Sequence, residues 1–502
     1  MAYTENNQKN IPPSLDPSPE QIQENGQAAI QLIAEYFDKL PTVPILPDTS
    51  SDAIREKLDS QLPVGGQDFD TVLATVQDVI FPSSRHNGHP RFFGYVASPG
   101  TAATAIADLL ASTLNPNVTS WRSAPGPTEV ERLTIQWIKQ IIGYVPEAEG
   151  LFVSGGSIAN LCAVAAARHA KAPINVTKIG GQALNKVMRI YISEEGHHSI
   201  SKAAGLLGIG RDNVVPVKTN QRFQIDVQAL RAAIEEDLTA GYLPFCVVGT
   251  PGTVQLGTCD PLEAVADVAA KYNLWFHVDA CYGGFAALAP SKRHLFAGIE
   301  RADSVALDPH KWLYLPSDCS CILYRDPAQA RATFGFETDY INVMAEAPDE
   351  AYAFWDFGPE LTRRFRALKT WMMLSHVGTK ALGEAIEENC ACARHLAKLV
   401  AQSDDFEMLA PVELSIFCFR YLPPALKAKY AVASLDERAA IDDELNVLNE
   451  HILKRLQTGG SSYLSNAKIA GCFALRGCVV NFRTTREDMA VLLDDIRDVV
   501  HA

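Results

Sequence analysis

The chain has 502 residues, 47% of them hydrophobic, enough to bury a large core and to form more than one lobe. Its net charge of −15, from 44 basic and 59 acidic residues, argues against nucleic acid or an anionic membrane as partner. No window approaches the uninterrupted apolar length of a membrane span.

The first twenty or so residues are polar and Pro-rich, with neither the basic nor the apolar region of a secretion signal, and are expected to be a mobile arm. Eleven cysteines lie scattered through apolar runs (Cys162, Cys246, Cys281, Cys418), which suits reduced, buried thiols and a cytoplasmic location. Cys319/Cys321 and Cys390/Cys392 are spaced C-x-C with no matching His/Cys set nearby, so no metal is expected.

Gln21–Leu40 has helical apolar spacing (Ile30, Ile33, Phe37, Leu40) and ends at the proline-punctuated PTVPILP. Such an exposed amphipathic helix packs either on another subunit or back onto its own chain. His89–Gly100, HPRFFGYVASPG, is aromatic and poor in charge, and Phe92 and Phe93 read as core. Helices are predicted over Ala102–Leu114 and Gly126–Gly143. In Leu151–Arg168, LFVSGGSIANLCAVAAAR, a short strand meets Gly-Gly-Ser and then an Ala-rich helix. Glycines at a helix start turn bare N–H groups and the positive dipole end toward an anion, here at Gly156 and Ser157. Strands follow at Val187–Ser193 and Phe245–Thr250, and a helix at Pro261–Tyr272. Strand–helix–strand units repeat over 150–325, the signature of a largely parallel sheet with helices on both faces.

Two stretches carry the chemistry. Leu274–Gly284, LWFHVDACYGG, is an apolar run ending in Asp279, and a buried strand-end carboxylate is costly unless paired. A pyridinium nitrogen is a suitable partner; a helix cap or an arginine is the alternative. Ala302–Arg325, ADSVALDPHKWLYLPSDCSCILYR, is a strand stopped by Pro309, then Lys311 on a turn, then a second strand. A lysine on a strand-end turn is well placed to shed its proton and condense with an aldehyde; the alternative is a surface lysine packed by Trp312 and His310. The interval from Asp279 to Lys311 leaves room for one crossover helix between neighbouring strands.

HVDACYGG followed by ADSVALDPHKW resembles the pyridoxal-phosphate-dependent group II amino-acid decarboxylases, the family of aromatic-L-amino-acid decarboxylase. The resemblance runs from about Pro90 to the C-terminus. It implies the α/β fold of the pyridoxal-phosphate-dependent transferases (fold type I): a mostly parallel seven-stranded sheet flanked by helices, an N-terminal helical arm and a small α+β C-terminal domain. The divisions expected are 1–95 for the arm and dimerisation helices, 96–385 for the cofactor domain and 386–502 for the small domain. The implied cofactor is pyridoxal 5'-phosphate, the partner a small L-amino acid, and the assembly a homodimer.

Residue by residue, the resemblance implies that Lys311 carries the cofactor and Asp279 keeps its ring nitrogen protonated. Gly156, Ser157, His310 and Asp308 lie around the cofactor on the phosphate and lysine side. The pattern H-x-S-[IV]-x-[KR]-A puts a ring-stacking histidine at His197, with His198 as the alternative. Tyr95 and Ser98 become substrate-pocket residues. Thr253 is a cofactor contact, but Val254 stands where similar chains often have a second threonine that reaches the ring hydroxyl. The acidic loop Gly335–Asp356 matches a mobile catalytic loop whose tyrosine is Tyr340, a proton donor to the substrate carbon or else a solvated aromatic.

Glu360–His376 reads as a helix with Arg363, Arg364 and Arg366 in its first turns, mostly a solvated basic face with some reach toward a phosphate. The run RRFRALK looks more like the aromatic branch than like glutamate decarboxylases. Helix is expected to continue over Ala381–Ala401, residues 424–445 are expected to be loop, Ala467–Arg483 to supply strands and Arg486–Val500 a closing helix.

The expected reaction is decarboxylation of an L-amino acid, most simply an aromatic one, to the amine and carbon dioxide. One rival is an aldehyde synthase, which couples decarboxylation to oxidative deamination and by resemblance tends to have phenylalanine at the Tyr340 position. A second is a decarboxylase of glutamate or cysteine sulfinate, which needs a cation for the distal carboxylate. A non-catalytic scaffold is disfavoured because the Lys, Asp and His are all present.

Overall fold

The computed structural model describes residues 15–58, 61–335 and 348–501. Its contacts fall into two compact units, Met1–His89 and Pro90–Ala502.

In the first unit the helix Pro19–Lys39 opens on a capping box, with Ser18 and Gln21 satisfying each other's backbone N–H, and with proline at its start. Ile22 and Ile30 on it are exposed, whereas Leu40 and Ile45 beyond it are buried. Tyr36 rests edge-on against Phe81 with ring centroids 5.1 Å apart.

The second unit is built on a seven-stranded sheet: β1 (Glu149–Val153), β2 (Met188–Ser193), β3 (Val214–Val217), β4 (Leu243–Gly249), β5 (Trp275–Asp279), β6 (Ser304–Leu307) and β7 (Ser320–Tyr324), in the order β1-β7-β6-β5-β4-β2-β3. Every strand runs parallel except β7, which is antiparallel to both β1 and β6. The inner strands are buried throughout, as in Phe245–Gly249, Trp275–Asp279 and Ser304–Leu307, which is why they read as continuous apolar runs rather than alternating ones. Helices Ala102–Leu114 and Pro125–Ile142 form as their spacing predicts, and Phe92 and Phe93 are core.

A second, four-stranded antiparallel sheet, β8 (Phe406–Met408), β9 (Ile416–Tyr421), β10 (Ser465–Ile469) and β11 (Cys472–Cys478), is ordered β10-β11-β9-β8. It has its own apolar cluster, where Phe417, Phe419 and Leu475 meet Leu456 and Leu492.

Three expectations fail here. No α-helix joins β5 to β6; three short 3₁₀ turns, Gly284–Leu288, Arg293–Phe296 and Ile299–Arg301, make the crossover. Gly283-Gly284, Pro290 and Gly298 (φ +96°) interrupt any longer helix.

Residues 424–445 are not loop but the helix Pro424–Val432 and the start of Leu435–Gly459, the latter opened by a Ser434/Glu437 capping box. The charges are the outer face of a helix whose inner stripe is Leu445, Ile452, Leu453 and Leu456.

The arginine-rich helix begins only at Ala367. Arg363 is 1% exposed, ion-paired to the buried Glu131, and donates to the carbonyls of Val118 (2.6 Å) and Phe152 (2.8 Å). Arg366 grips Glu360 through two nitrogens at 2.7 and 3.1 Å. Only Arg364 is solvated, so the basic face expected here is largely internal wiring. Anchoring inward pulls 360–366 out of helical geometry. No helix among the described residues is long and apolar enough to cross a membrane.

Candidate active site

Parallel strands deliver their C-terminal ends to one edge of the sheet, and the residues just beyond those ends line a cavity of about 350 Å³. Ser154–Ser157 follow β1, His197 follows β2, Thr250 follows β4, Asp279 ends β5, and Asp308–Lys311 follow β6. Pairing of Asp279 with Ala306 across β5 and β6 sets the two motif segments side by side. Tyr282 then stacks on Trp312 with centroids 4.9 Å apart, locking the turns together.

Gly156 begins the helix Gly156–Lys171, whose first N–H groups have no intrahelical acceptor. A Cβ at Gly156 would lie 2.7 Å from Cys281 Sγ and 3.0 Å from both Asp308 carboxylate oxygens, so only glycine lets the helix start approach so closely.

Asp308 is buried, accepts from Ser320 Oγ at 2.5 Å and stands 2.8 Å from Lys311 Nζ. This corrects the expectation that Lys311 sheds its proton readily. Burial opposes the ammonium, but the Asp308 carboxylate outweighs that, and the lysine is held above its ordinary range. Burial likewise works against the Asp308 charge, and the Lys311 ammonium more than offsets it, leaving this carboxyl below its ordinary range.

Asp279 is 4% exposed and accepts from Asn160 Nδ2 at 2.9 Å and from the Cys281 N–H at 3.2 Å. Of the two adjacent histidines, His197 lines the cavity, while His198 precedes the helix Ser199–Leu206. Desolvation lowers the proton affinity of His197 despite the nearby Asp279. His310 donates Nδ1–H to the Cys319 carbonyl at 2.7 Å, and its burial favours the neutral ring.

The structure thus brings Lys311, Asp279, His197, Gly156, Ser157, His310 and Asp308 to one cavity. Thr253 is not on its wall. Its hydroxyl pairs with Thr258 Oγ1 at 2.9 Å in the interior, while its neighbours Gly252 and Val254 face the cavity. Tyr95, half exposed, and Ser98 do not line it either. Tyr340 lies outside the described residues.

The reading from sequence missed Asn160, Thr250 and Cys281. Asn160 had a signal, being an amide on the packed face of an Ala-rich helix one turn past the glycines. Thr250 Oγ1 is buried beside the cavity with no hydrogen-bond partner.

An amine, an anion-receiving turn, and a buried carboxylate with no cationic partner among the described residues form a donor set that fits pyridoxal phosphate. Residues 52–422 match the model of the pyridoxal-dependent decarboxylase conserved domain. An aromatic-L-amino-acid decarboxylase of Bacillus atrophaeus is 33% identical over 484 residues, 96% of each chain. A phenylacetaldehyde synthase of a Rosa hybrid cultivar is 30% identical, over 93% of this chain and 91% of its own. The crystal structure of Oryza sativa TDC with PLP and tryptamine superposes with a TM-score of 0.88 at 28% identity, covering 96% of this chain and 98% of that one. This chain belongs to the pyridoxal-dependent decarboxylase family, and it is an enzyme that works with pyridoxal 5'-phosphate.

Proposed function

We propose that this enzyme decarboxylates an aromatic L-amino acid to its amine, with Lys311 and Asp279 as the two residues the chemistry cannot lose. The observation that carries the substrate class is the charge inventory of the cavity. No arginine lines it among the described residues, and its one ammonium, Lys311, is already paired with Asp308. A distal carboxylate on the substrate would be buried without a partner, which disfavours an acidic amino acid. The apolar parts of the wall, Ile158, Val254 and Tyr282, suit a ring instead.

In this reading the N–H groups at Gly156 and Ser157 hold the phosphate, with His310 beside them. The Lys311 amine would hold the cofactor until the substrate amine takes its place. The Asp279 carboxylate accepts the ring N–H and keeps that proton in place. His197, on the cavity wall, would pack against the cofactor ring. Bound pyridoxal phosphate supplies an electron-accepting ring for the pair left when the carboxyl group departs. Tyr340 would return a proton to the substrate carbon.

The Rosa relative keeps the aldehyde-producing alternative in view, and Tyr340 at the loop position favours the amine. Carbon dioxide release from tyrosine, tryptophan, phenylalanine, their hydroxylated forms and glutamate tests the substrate class. The expected result is turnover of an aromatic acid with amine and no stoichiometric peroxide; preference for glutamate would refute it.

We also propose a cytoplasmic homodimer. All eleven cysteines are free thiols, and Ile106, Leu109, Leu110 and Leu114 form an exposed apolar stripe along one helix that a second copy would cover. Light scattering on wild type and on Leu109→Glu checks this; a wild-type monomer would end it.

A further inference from the structure

Asn160 sits one turn into the helix Gly156–Lys171 and is 1% exposed. Its Nδ2 lies 2.9 Å from Asp279 Oδ2 and 2.7 Å from Ser199 Oγ, and its Oδ1 lies 2.9 Å from His277 Nε2. The amide has no second orientation available, because a carboxylate only accepts and the nitrogen must face it.

The rest of the network follows from that one constraint. His277 Nε2 must donate to Asn160. Burial holds this imidazole near 4, so it is neutral, and with its hydrogen on Nε2 the Nδ1, which faces the Ser304 carbonyl at 3.2 Å and Oγ at 2.9 Å, accepts from the hydroxyl. Ser304 Oγ in turn accepts from Trp275 Nε1, a group that can only donate, at 2.8 Å. On the other side, Ser199 Oγ accepts from Asn160 and passes its own hydrogen to His197 Nδ1 at 2.7 Å. The Ser199 N–H points at that same nitrogen from 3.2 Å. With Nδ1 accepting twice, the proton of neutral His197 is on Nε2. Donation therefore runs one way, from Trp275 through Ser304, His277, Asn160 and Ser199 to His197.

We infer that Asn160 is a positioning residue that ties together the two ring contacts, fixing the plane of the Asp279 carboxylate and, through Ser199, the nitrogen on which His197 carries its proton. This rests on the roles given above to Asp279 and His197. Only a planar group with two donors and one acceptor satisfies Asp279, Ser199 and His277 at once. A hydroxyl at this position would reach one of them, and a carboxylate would face Asp279 with like charge.

The test uses holoenzyme with selectively ¹⁵N-labelled histidine and three variants, Asn160→Asp, Asn160→Leu and Ser199→Ala. Both Asn160 variants are expected to lose cofactor about tenfold more readily and to lower kcat about tenfold or more, with KM for the amino acid changing much less. In Asn160→Asp, whose new carboxylate can take the Ser199 hydrogen, the ¹⁵N signals of His197 leave the Nε2–H pattern. Ser199→Ala moves the His197 signals in the same way but leaves cofactor retention near wild type, because the Asn160–Asp279 bond survives.

Wild-type His197 signals in Asn160→Asp, or unchanged cofactor retention in both Asn160 variants, would overturn the role of Asn160. If Asn160→Leu fails to fold, the isosteric Asn160→Asp and Ser199→Ala decide the matter. A wild-type protein with no visible cofactor band would refute the underlying functional reading, whereas a normal band with silent variants refutes only this inference.

Discussion

Two buried aspartates stand at the ends of neighbouring parallel strands, and the chain treats them differently. Asp308, one residue past β6, is bound to the Lys311 ammonium and to the Ser320 hydroxyl. Asp279, the last residue of β5, is held among the described residues by neutral donors, among them the Asn160 amide and the Cys281 N–H. A buried carboxylate without a cation is costly, and a chain that keeps one has left a place for a cationic ligand. Asp308 is already neutralised from within. The pair teaches that neighbouring carboxylates are assigned separate tasks by what stands beside each, one toward the lysine and, in the proposed function, one toward the ring.

The harshest way to break this contrast is to remove the cation that Asp308 holds. Lys311→Ala should abolish the absorbance of covalently held cofactor and lower kcat/KM by at least ~10³-fold. An intact band with full turnover would end the assignment. A buried pair with no part in chemistry supplies the control. Arg363 and Glu131, both fully buried, join the helix Pro125–Ile142 to β1. Arg363→Met should cost about 3–5 kcal/mol of stability by stranding the carboxylate, yet leave the cofactor band of the folded fraction unchanged. Denaturant unfolding followed beside that band separates the two effects.

Asp279→Asn comes next. It keeps the shape and the Asn160 contact region but removes the charge, and should lower kcat by about 10²–10³-fold with little change in stability. Single-turnover measurements of carbon dioxide release would show the loss in the chemical step; a change confined to KM would mean that Asp279 only binds.

How much of this was legible in the chain follows from how local each signal is. Gly156, Asp279 and Lys311 each announce themselves within a few residues, as a glycine turn, a strand-end carboxylate or a proline-stopped strand, and sheet topology does the rest. What escaped was set by partners far away in sequence. Arg363 reads as one of several basic residues on a helix until Glu131 and the carbonyls of Val118 and Phe152 draw it inside. Asn160 gains meaning only when β5 and the turn after β2 bring Asp279 and Ser199 to it. Thr253 shows the converse: a motif match put it at the cofactor, and the tight turn at Gly252 (φ +108°) is followed by a side chain committed to Thr258. The helix Leu435–Gly459 was hidden by its own charges, which is the usual look of an outer helical face.

The mildest expected effect tests the other half of the contrast. Lys311 is raised and Asp308 depressed because each holds the other charged within 2.8 Å. For the lysine, whose folded-state value is raised, the stabilisation is fully present below its unfolded value of about 10.4 and is lost as pH climbs through the folded value. For the aspartate, whose folded-state value is depressed, it is present above about 3.9 and is lost as pH falls through the folded value. The pair therefore stabilises across the whole neutral range, and over that range it keeps the amine in its unreactive form. Asp308→Asn removes the strongest single charge holding the ammonium and leaves burial opposed by Cys281 and Asp279, so the amine should become available at lower pH. Reaction of cofactor-free protein with pyridoxal phosphate, followed against pH, should show its midpoint shifted down by about one unit, equivalent to ~1.4 kcal/mol. A midpoint that stays put, or moves upward, would mean that Asp308 does not govern the lysine, and the division of labour between the two carboxylates would have to be redrawn.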